Sequence, residues 1–380
     1  MKYGLIGCGR IAPSHIGAAC LNGLDIVAIC DIVPEKMDDL LENMLKYGDM
    51  MDFTKEKADK IKKYTDYKQM IEENDLEMVA IATVSGPHHD IAKFCIEHGL
   101  HTLIEKPMSM SMADADEIVA LQKQYGVTVG TNHEFRFFLA VQELKKAIDA
   151  GRFGRISHIV FNARANKQKS YYDQAAWRGT WADDGGTLMN QCTHVADKMR
   201  WLMGDDVESI TAHTRQVFHN YIQGEDLGLA LIKFGNGVIG TFEGTSNVFP
   251  GTEENKICVF GEKGTVRLSH GHVETWKFSE ELPGDEEVRK MRDLPAQPWD
   301  NYGNGHPRLY ADFIDAVKTG RDPLVSAQGG RNSMEFVLAM YKSQKEGVTV
   351  KLPLTDFASI DMMGYFDAPA SADLGADATN

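Results

Sequence analysis

The sequence predicts two unlike halves: an N-terminal α/β domain on a doubly wound parallel sheet, then an α+β domain on a large open antiparallel sheet. Three observations carry that prediction. An apolar run, Lys2–Ile6, leads straight into a glycine-rich turn. Short apolar runs and amphipathic segments then alternate as far as residue 131. Beyond residue 150 the rhythm changes to longer period-two segments separated by tight turns.

The turn reads Gly7-Cys8-Gly9-Arg10-Ile11-Ala12, a G-x-G-x-x-A pattern. The first glycine permits the tight turn, and the second lets a pyrophosphate approach the backbone. The small last residue lets the following helix pack on the strand, and that helix start offers free N–H groups to phosphate. Alone the pattern is weak. Here the next strand, Asp25–Cys30, ends at Asp31, close to the ~20-residue distance expected for the acid that receives the ribose hydroxyls. Gly7, Gly9, Arg10, Ile11 and Asp31 are therefore expected to bind a dinucleotide, in a Rossmann domain spanning residues 1–132. A carboxylate at Asp31 would repel a 2′-phosphate, so NAD is expected. Arg10 is the residue that would favour NADP instead.

The remaining elements follow in order. Residues 66–74 read as a helix, 78–83 as a buried strand, and 88–98 as a helix stopped by Gly99. Residues 100–104 form the next strand, 111–125 an amphipathic helix stopped by Gly126, and 127–131 another strand. Residues 38–63 interrupt this alternation; long, charged and methionine-bearing, they read as a helical excursion solvated on the surface. In the second half, a helix over 140–150 ends at Gly151. Strands are expected over 156–163, 209–217, 227–234, 238–246, 256–260 and 265–268. Gly235-Asn236-Gly237 and Gly261-Glu262-Lys263-Gly264 supply hairpin turns. An open antiparallel face with alternating apolar residues must be covered, so a homodimer or homotetramer is expected. Residues 307–318 and 330–346 read as helices packing back between the domains. They complete a substrate-binding and oligomerisation domain over 133–355, and residues 356–380 form a tail without a core pattern.

Composition narrows the class. At 380 residues the chain is long enough for two domains, each with its own core. A net charge of −15 argues against nucleic acid or an anionic membrane as partner, while leaving room for a locally basic pocket. The six cysteines are scattered without metal-ligand spacing, so no metal site is expected, and they read as thiols of a reducing compartment. No run of about 18 apolar residues occurs. A cytoplasmic protein is expected.

Chemistry enters with two further segments. Glu105-Lys106-Pro107 closes a strand, and Asn190 and His194 stand four residues apart just after Gly185-Gly186. A dinucleotide site needs only the glycines. Removing a hydride from a carbinol also needs a cation and a base beside the hydroxyl. Lys106 can stabilise the developing alkoxide. His194, with an ordinary pKa near ~6.5, can take the hydroxyl proton. Asn190 lies one helical turn before His194 and faces the same way. These residues point to a nicotinamide-dependent enzyme acting on a sugar or polyol; the simpler readings are a surface lysine and a core histidine. Arg164, Lys167 and Lys169 precede Tyr171 and Tyr172, a grouping of cations and aromatics that suits a diphosphate with a ring to stack. A solvated loop is the simpler reading there. His270-Gly271-His272 reads as an exposed hairpin.

Together these motifs resemble the glucose–fructose oxidoreductase and inositol dehydrogenase (Gfo/Idh/MocA) family, over nearly the whole chain to about Pro353. Tyr171-Tyr172-Asp173, Trp177-Arg178-Gly179-Thr180-Trp181, Met189-Asn190-Gln191 and the segment 303–306 are more specific. They resemble the subgroup that oxidises the sugar 3-hydroxyl of UDP-N-acetyl-2-amino-2-deoxyglucuronate with NAD. The resemblance implies that Lys106 hydrogen-bonds the reacting oxygen, with His194 as base and Asn190 orienting. It adds Thr83, His88, Glu105, Lys106, Trp177 and Arg178 to the cofactor contacts. It adds Arg136, Arg164, Lys167, Tyr171, Tyr172, Gln191 and His194 to the substrate contacts. Two departures stand out. Many members carry aspartate where this chain has Asn190. The usual paired arginines are reduced to one in Asn132-His133-Glu134-Phe135-Arg136, leaving Arg136 to bind substrate or brace the domains. A UDP-sugar acid such as UDP-N-acetylglucosaminuronate is the expected substrate, the alternative being a free sugar, inositol or glycoside. A dinucleotide sensor without catalysis is opposed by the presence of both Lys106 and His194.

Overall fold

Six short strands open the fold: β1 (Lys2–Ile6), β2 (Asp25–Cys30), β3 (Lys62–Tyr64), β4 (Met78–Ile81), β5 (His101–Glu105) and β6 (Val129–Asn132). They form a wholly parallel sheet in the order β3-β2-β1-β4-β5-β6. Strands β4 and β6 are buried along their whole length, and β1 and β5 nearly so, as helices on both faces demand. Strand order reverses between β1 and β4, which opens a crevice at the carboxyl ends where ligands of such sheets sit. The computed structural model describes residues 1–292, 297–299 and 305–367. Of the expected motif at 303–306, the first two residues lie outside these.

Helix boundaries follow capping chemistry. Asp66 accepts the Lys68 N–H, so the helix expected over 66–74 is Tyr67–Glu72. Ser111 caps Met112–Tyr125, and Gly126 ends it at a φ of 67°. The excursion at 38–63 is not a solvated insertion. Helix Pro34–Leu45 buries Met37, Leu40, Leu41 and Met44, and Phe53, Ala58 and Ile61 join the same core. Its end supplies β3, an edge strand whose two exposed lysines hide it from a hydrophobicity pattern.

The second sheet has eight strands: β7 (Ile156–Arg164), β8 (Val207–Arg215), β9 (Leu227–Phe234), β10 (Ile239–Thr245), β11 (Glu254–Gly261), β12 (Gly264–Ser269), β13 (His272–Phe278) and β14 (Val350–Lys351). Their order is β13-β12-β11-β7-β10-β9-β8-β14. The expectation of an antiparallel sheet is corrected at one pair, because β7 and β10 run parallel. A parallel pair needs a long crossover. Here the chain leaves β7 for helices Thr187–Asn190 and Thr193–Met203 before it returns through β8 and β9. The His270-Gly271 turn joins β12 to β13 with positive φ at both residues. One face of the sheet packs on helices through Ala230, Ile232, Phe234 and Phe242; the other presents Leu229, Leu231 and Ile239 about half exposed.

Two late helices tie the halves together. Gly305–Thr319 lies against helix Ala12–Leu21 of the first domain. Ala327–Glu346 packs on β8 on one side and on β6 and helix Met112–Tyr125 on the other. The chain expected to be a tail from Asp356 stays on the core through residue 367. The Ser359 hydroxyl donates to the Trp181 carbonyl (2.6 Å), Met362 is buried, and the Phe366 ring faces that of Trp181. Single anchors of this kind carry no periodic signal; the rest of the tail lies outside the described residues. No helix among the described residues is long and apolar enough to cross a membrane.

Candidate active site

The crevice begins at the glycine turn. Gly7 has a φ of 99°, and a Cβ there would come within 2.5 Å of the Ala82 backbone, so only glycine lets the end of β1 pass the end of β4. A Cβ at Gly9 would meet open space, and no side chain caps helix Ala12–Leu21. That uncapped start, with Arg10 and Ile11 leading into it, suits a pyrophosphate. Asp31 is buried against the turn and accepts the Cys8 N–H (2.8 Å) and the Val33 N–H (2.9 Å). Next to it Ile32 is 84% exposed. A held carboxylate beside a bare aliphatic surface fits an adenosine, ribose hydroxyls on the acid and purine on the isoleucine.

Strand β5 delivers Glu105 and Lys106 to the same rim. Glu105 is buried, joined to His15 Nε2 (3.0 Å), the Asn132 amide and the Lys106 N–H (3.2 Å). Burial would raise its pKa, but His15, His306 and Lys106 outweigh it and bring it down to about 2. His15 continues to Tyr310 OH (2.7 Å), and Tyr310 to Tyr3 OH (2.8 Å), a polar chain that threads the interface with helix Gly305–Thr319. Asn132 also reaches His306 Nε2 at 2.9 Å. The Lys106 ammonium leaves this network and donates to the Asn190 carbonyl (3.2 Å) and side-chain oxygen (3.4 Å). The cation of the first domain thus meets the polar helix of the second.

The helices carrying Asn190 and His194 lie directly on the second sheet because glycines face them. A Cβ at Gly244 would come within 2.5 Å of Leu188 and 2.9 Å of Cys192 Sγ. The His194 ring stacks on Phe135 at 4.5 Å and meets the edge of His133 at 5.6 Å. Its Nδ1 is 3.6 Å from Glu134 Oε2. Burial, then the Lys106 charge, hold its pKa well below the usual histidine value, so the ring is neutral. Burial pushes Glu134 up to about 7 and Asp184, hydrogen-bonded by Asn190, up to about 6. Tyr171 OH collects Arg178 Nη1 (2.6 Å), Gln191 Nε2 (2.8 Å) and Asn190 Nδ2 (3.5 Å). The Arg178 guanidinium lies over both the Tyr171 ring (4.2 Å) and the Trp177 ring (4.5 Å). Residues 177–186 approach the crevice where the Ser85 N–H donates to the Asp183 carbonyl (3.3 Å). Lys106, Asn190, His194, Tyr171, Gln191, Trp177 and Arg178 therefore share one site.

Comparison with known proteins gives the family. Residues 1–133 match the oxidoreductase-family model for an NAD-binding Rossmann fold, and residues 145–352 match the same family's C-terminal alpha/beta domain. The chain belongs to the GFO_IDH_MocA oxidoreductase family. It is thus an NAD-dependent oxidoreductase of a family acting on sugar and polyol hydroxyls. The chain is similar to myo-inositol 2-dehydrogenase of Thermotoga maritima, 26% identical over 93% of this chain and 98% of that protein. It is also similar to the WlbA dehydrogenase of Bordetella pertussis, solved with NADH and UDP-GlcNAcA: 32% identical, TM-score 0.82, covering 93% of this chain and 98% of that one. The WlbA dehydrogenase of Chromobacterium violaceum, solved with the same two ligands, is 31% identical with a TM-score of 0.81, covering 93% and 96%.

Several residues expected at the site turn elsewhere in this family member. Arg164 is on the open face of the sheet, its guanidinium held by Glu243 (2.8 and 2.6 Å) and Glu254 (2.5 Å). It is not available to a substrate. Arg136 is buried and bidentate to Asp197 (2.8 and 2.5 Å), with a third bond to the Leu324 carbonyl; all three lie within residues 133–355, so it braces the second domain internally instead of binding substrate or spanning the two domains. Tyr172 is buried edge-on against the Tyr171 ring (5.1 Å), with His219 and Tyr221 on its other contacts, so it backs Tyr171 instead of lining the site itself. Lys169 is exposed and paired with Asp173 (2.5 Å). His88 is buried between the Pro107 and Thr83 carbonyls; its neutral ring has one N–H to donate, and Nδ1 lies nearer, 2.8 Å from the Pro107 carbonyl, so it packs the β4 and β5 loops together. Thr83 itself is half-buried at that loop, its hydroxyl donating to the Val84 carbonyl (3.0 Å). Of the three cations before the tyrosines, only Lys167 stays, its ammonium 5.1 Å from the Tyr171 ring. Glu134 and Asp184 were not singled out by sequence. Glu134 had one signal, since it sits in the segment that departs from the family pattern.

Proposed function

We propose that the chain oxidises the 3-hydroxyl of a UDP-sugar acid such as UDP-N-acetylglucosaminuronate to a ketone. The carrying observation is the crowding of cations around Tyr171. Burial and the charges of Arg10, Arg178 and Lys106 push the Lys167 pKa down, and Glu253 offsets them only in part. Lys167 and Arg178 both lie against the Tyr171 ring, and such a cluster of cations and an aromatic suits an anionic ligand, which a diphosphate or sugar carboxylate supplies. The two dehydrogenases solved with UDP-GlcNAcA support this reading.

In this reading Gly7, Gly9 and the uncapped helix start hold the cofactor pyrophosphate, and Asp31 holds the adenosine ribose. Trp177 and Arg178 border the cofactor from the second domain. NAD, when bound, accepts the hydride that leaves the carbinol carbon. Lys106 donates a hydrogen bond to the reacting oxygen and stabilises its negative charge as the hydroxyl proton departs. Neutral His194 takes that proton. Asn190 holds the ammonium of Lys106 in place, and Gln191 and Tyr171 position the sugar. A second reading, oxidation of a free sugar or inositol by the same pair, is favoured by the similarity to myo-inositol 2-dehydrogenase. Thermal unfolding in the presence of NAD separates the two. UDP-sugars should raise the Tm and myo-inositol or glucose should raise it less; protection by inositol alone would favour the second reading.

A further inference from the structure

We infer that Glu134 is a positioning residue for His194: its carboxylate faces Nδ1, selects the tautomer that leaves Nε2 bare, and stabilises the imidazolium formed when the substrate proton arrives. The inference rests on His194 being the base, as proposed above. Four observations carry it. His194 Nδ1 and Glu134 Oε2 are 3.6 Å apart, with side chains only 10% and 3% exposed. Neither atom has another hydrogen-bond partner among the described residues. Asn190, which ends the preceding helix, is a neutral amide and brings no charge to the ring. Both partners are held: Phe135 stacks on the imidazole, and helix Gly305–Thr319 starts against Glu134, where a Cβ at Gly305 would come within 2.9 Å of the Glu134 side chain.

A buried carboxylate with no second partner is costly unless it meets a charge. In turnover the imidazolium brings such a charge directly to the unpartnered Oε2. The hydroxyl O–H bond breaks and an Nε2–H bond forms on His194, while Nδ1–H donates to the Glu134 carboxylate. The hydride departs with its electron pair to the nicotinamide cofactor, so the His194–Glu134 pair gains one proton and no electrons. The proton then leaves to solvent. Helix Thr193–Met203 presents His194 to Glu134, and the end of β5 adds Glu105 and Lys106. Helix Gly305–Thr319 adds His306, and His133 precedes Glu134 in the chain. Burial raises Glu134 to about 7, so above neutrality its carboxylate faces the neutral ring.

The test has two arms. In the first, wild-type protein labelled with 15N-histidine is examined by NMR at about pH 8.5, above the Glu134 pKa, with the His194 signal assigned by its loss in H194A. The expected tautomer carries hydrogen on Nδ1; hydrogen on Nε2 overturns the inference, and this arm needs neither a substrate nor a Glu134 variant. In the second, NADH formation is followed with UDP-N-acetylglucosaminuronate and, in parallel, with myo-inositol. E134Q should lower kcat about 10–100-fold with KM within about threefold, and E134D should recover part of it. E134Q/H194A should be no slower than H194A within about twofold, because Glu134 acts through the ring. Losses that multiply, or wild-type kcat in E134Q, overturn the inference. Wild-type kcat in H194A instead refutes the histidine as base, a separate result.

Discussion

Replacing Lys106 or His194 by alanine should lower turnover roughly 10²–10⁴-fold while NAD binding by calorimetry stays near wild type, because the main role of each is at the reacting oxygen and the glycine turn and Asp31 supply most of the hold on the dinucleotide. A variant that kept more than about half the wild-type rate would remove that residue from the chemistry. Asp31 makes a second residue-level claim. Its carboxylate should give NAD at least about a tenfold advantage over NADP, and Asp31→Ala should narrow it. Equal affinities in the wild type would contradict this. Asp197 tests the brace. Burial opposes its ionisation, but Arg136 and its hydrogen bonds hold the carboxyl at about 2. The folded value lies below the ~3.9 of an unfolded aspartate, so this stability is complete above about pH 4 and lost as pH falls through 2. Asp197→Asn should cost about 3–5 kcal/mol in denaturant unfolding at neutral pH, since it leaves Arg136 buried and uncompensated. The sequence could mark Lys106, because a strand end fixes where it can point; the expected one-turn spacing of Asn190 and His194 is corrected, since they lie on separate helices, Thr187–Asn190 and Thr193–Met203. The sequence could not place Arg164 or Tyr172. Which side of a strand or loop faces the site depends on partners far along the chain, here Glu243, Glu254, His219 and Tyr221.

At the level of elements, the alternation of strands and helices in the first domain was legible because its central strands are short, apolar and separated by amphipathic helices with glycine or proline at several ends. β3 escaped as a charged edge, and β14 as a pair of residues with no pattern of its own. The parallel pairing of β7 with β10 was hidden for another reason: strand direction depends on the crossover between them, and periodicity reports only faces. That crossover carries the site. Gly244 lets Leu188 and Cys192 lie on the sheet, so Gly244→Val should push the helices bearing Asn190 and His194 outward. We expect overpacking of about 1–3 kcal/mol and at least a tenfold loss of kcat, with NAD affinity unchanged because the Rossmann domain is untouched. Stability and kcat both at wild-type level would show that the close approach does not set the site.

For the whole molecule, the open face of the second sheet makes an assembly prediction. Leu229, Leu231 and Ile239 stand about half exposed on neighbouring strands, an apolar surface that a second copy can bury. Light scattering should find a dimer or tetramer, and Leu231→Lys should shift it toward monomer; a monomeric wild type would remove the claim. The central claim concerns chemistry, and NADH absorbance over a substrate panel tests it most directly. With NAD and wild-type protein, UDP-N-acetylglucosaminuronate should produce NADH faster than UDP-glucose, glucose or myo-inositol, and Lys106→Ala should abolish that signal. NADH formed from myo-inositol or a free sugar, with none from any UDP-sugar, would contradict the account.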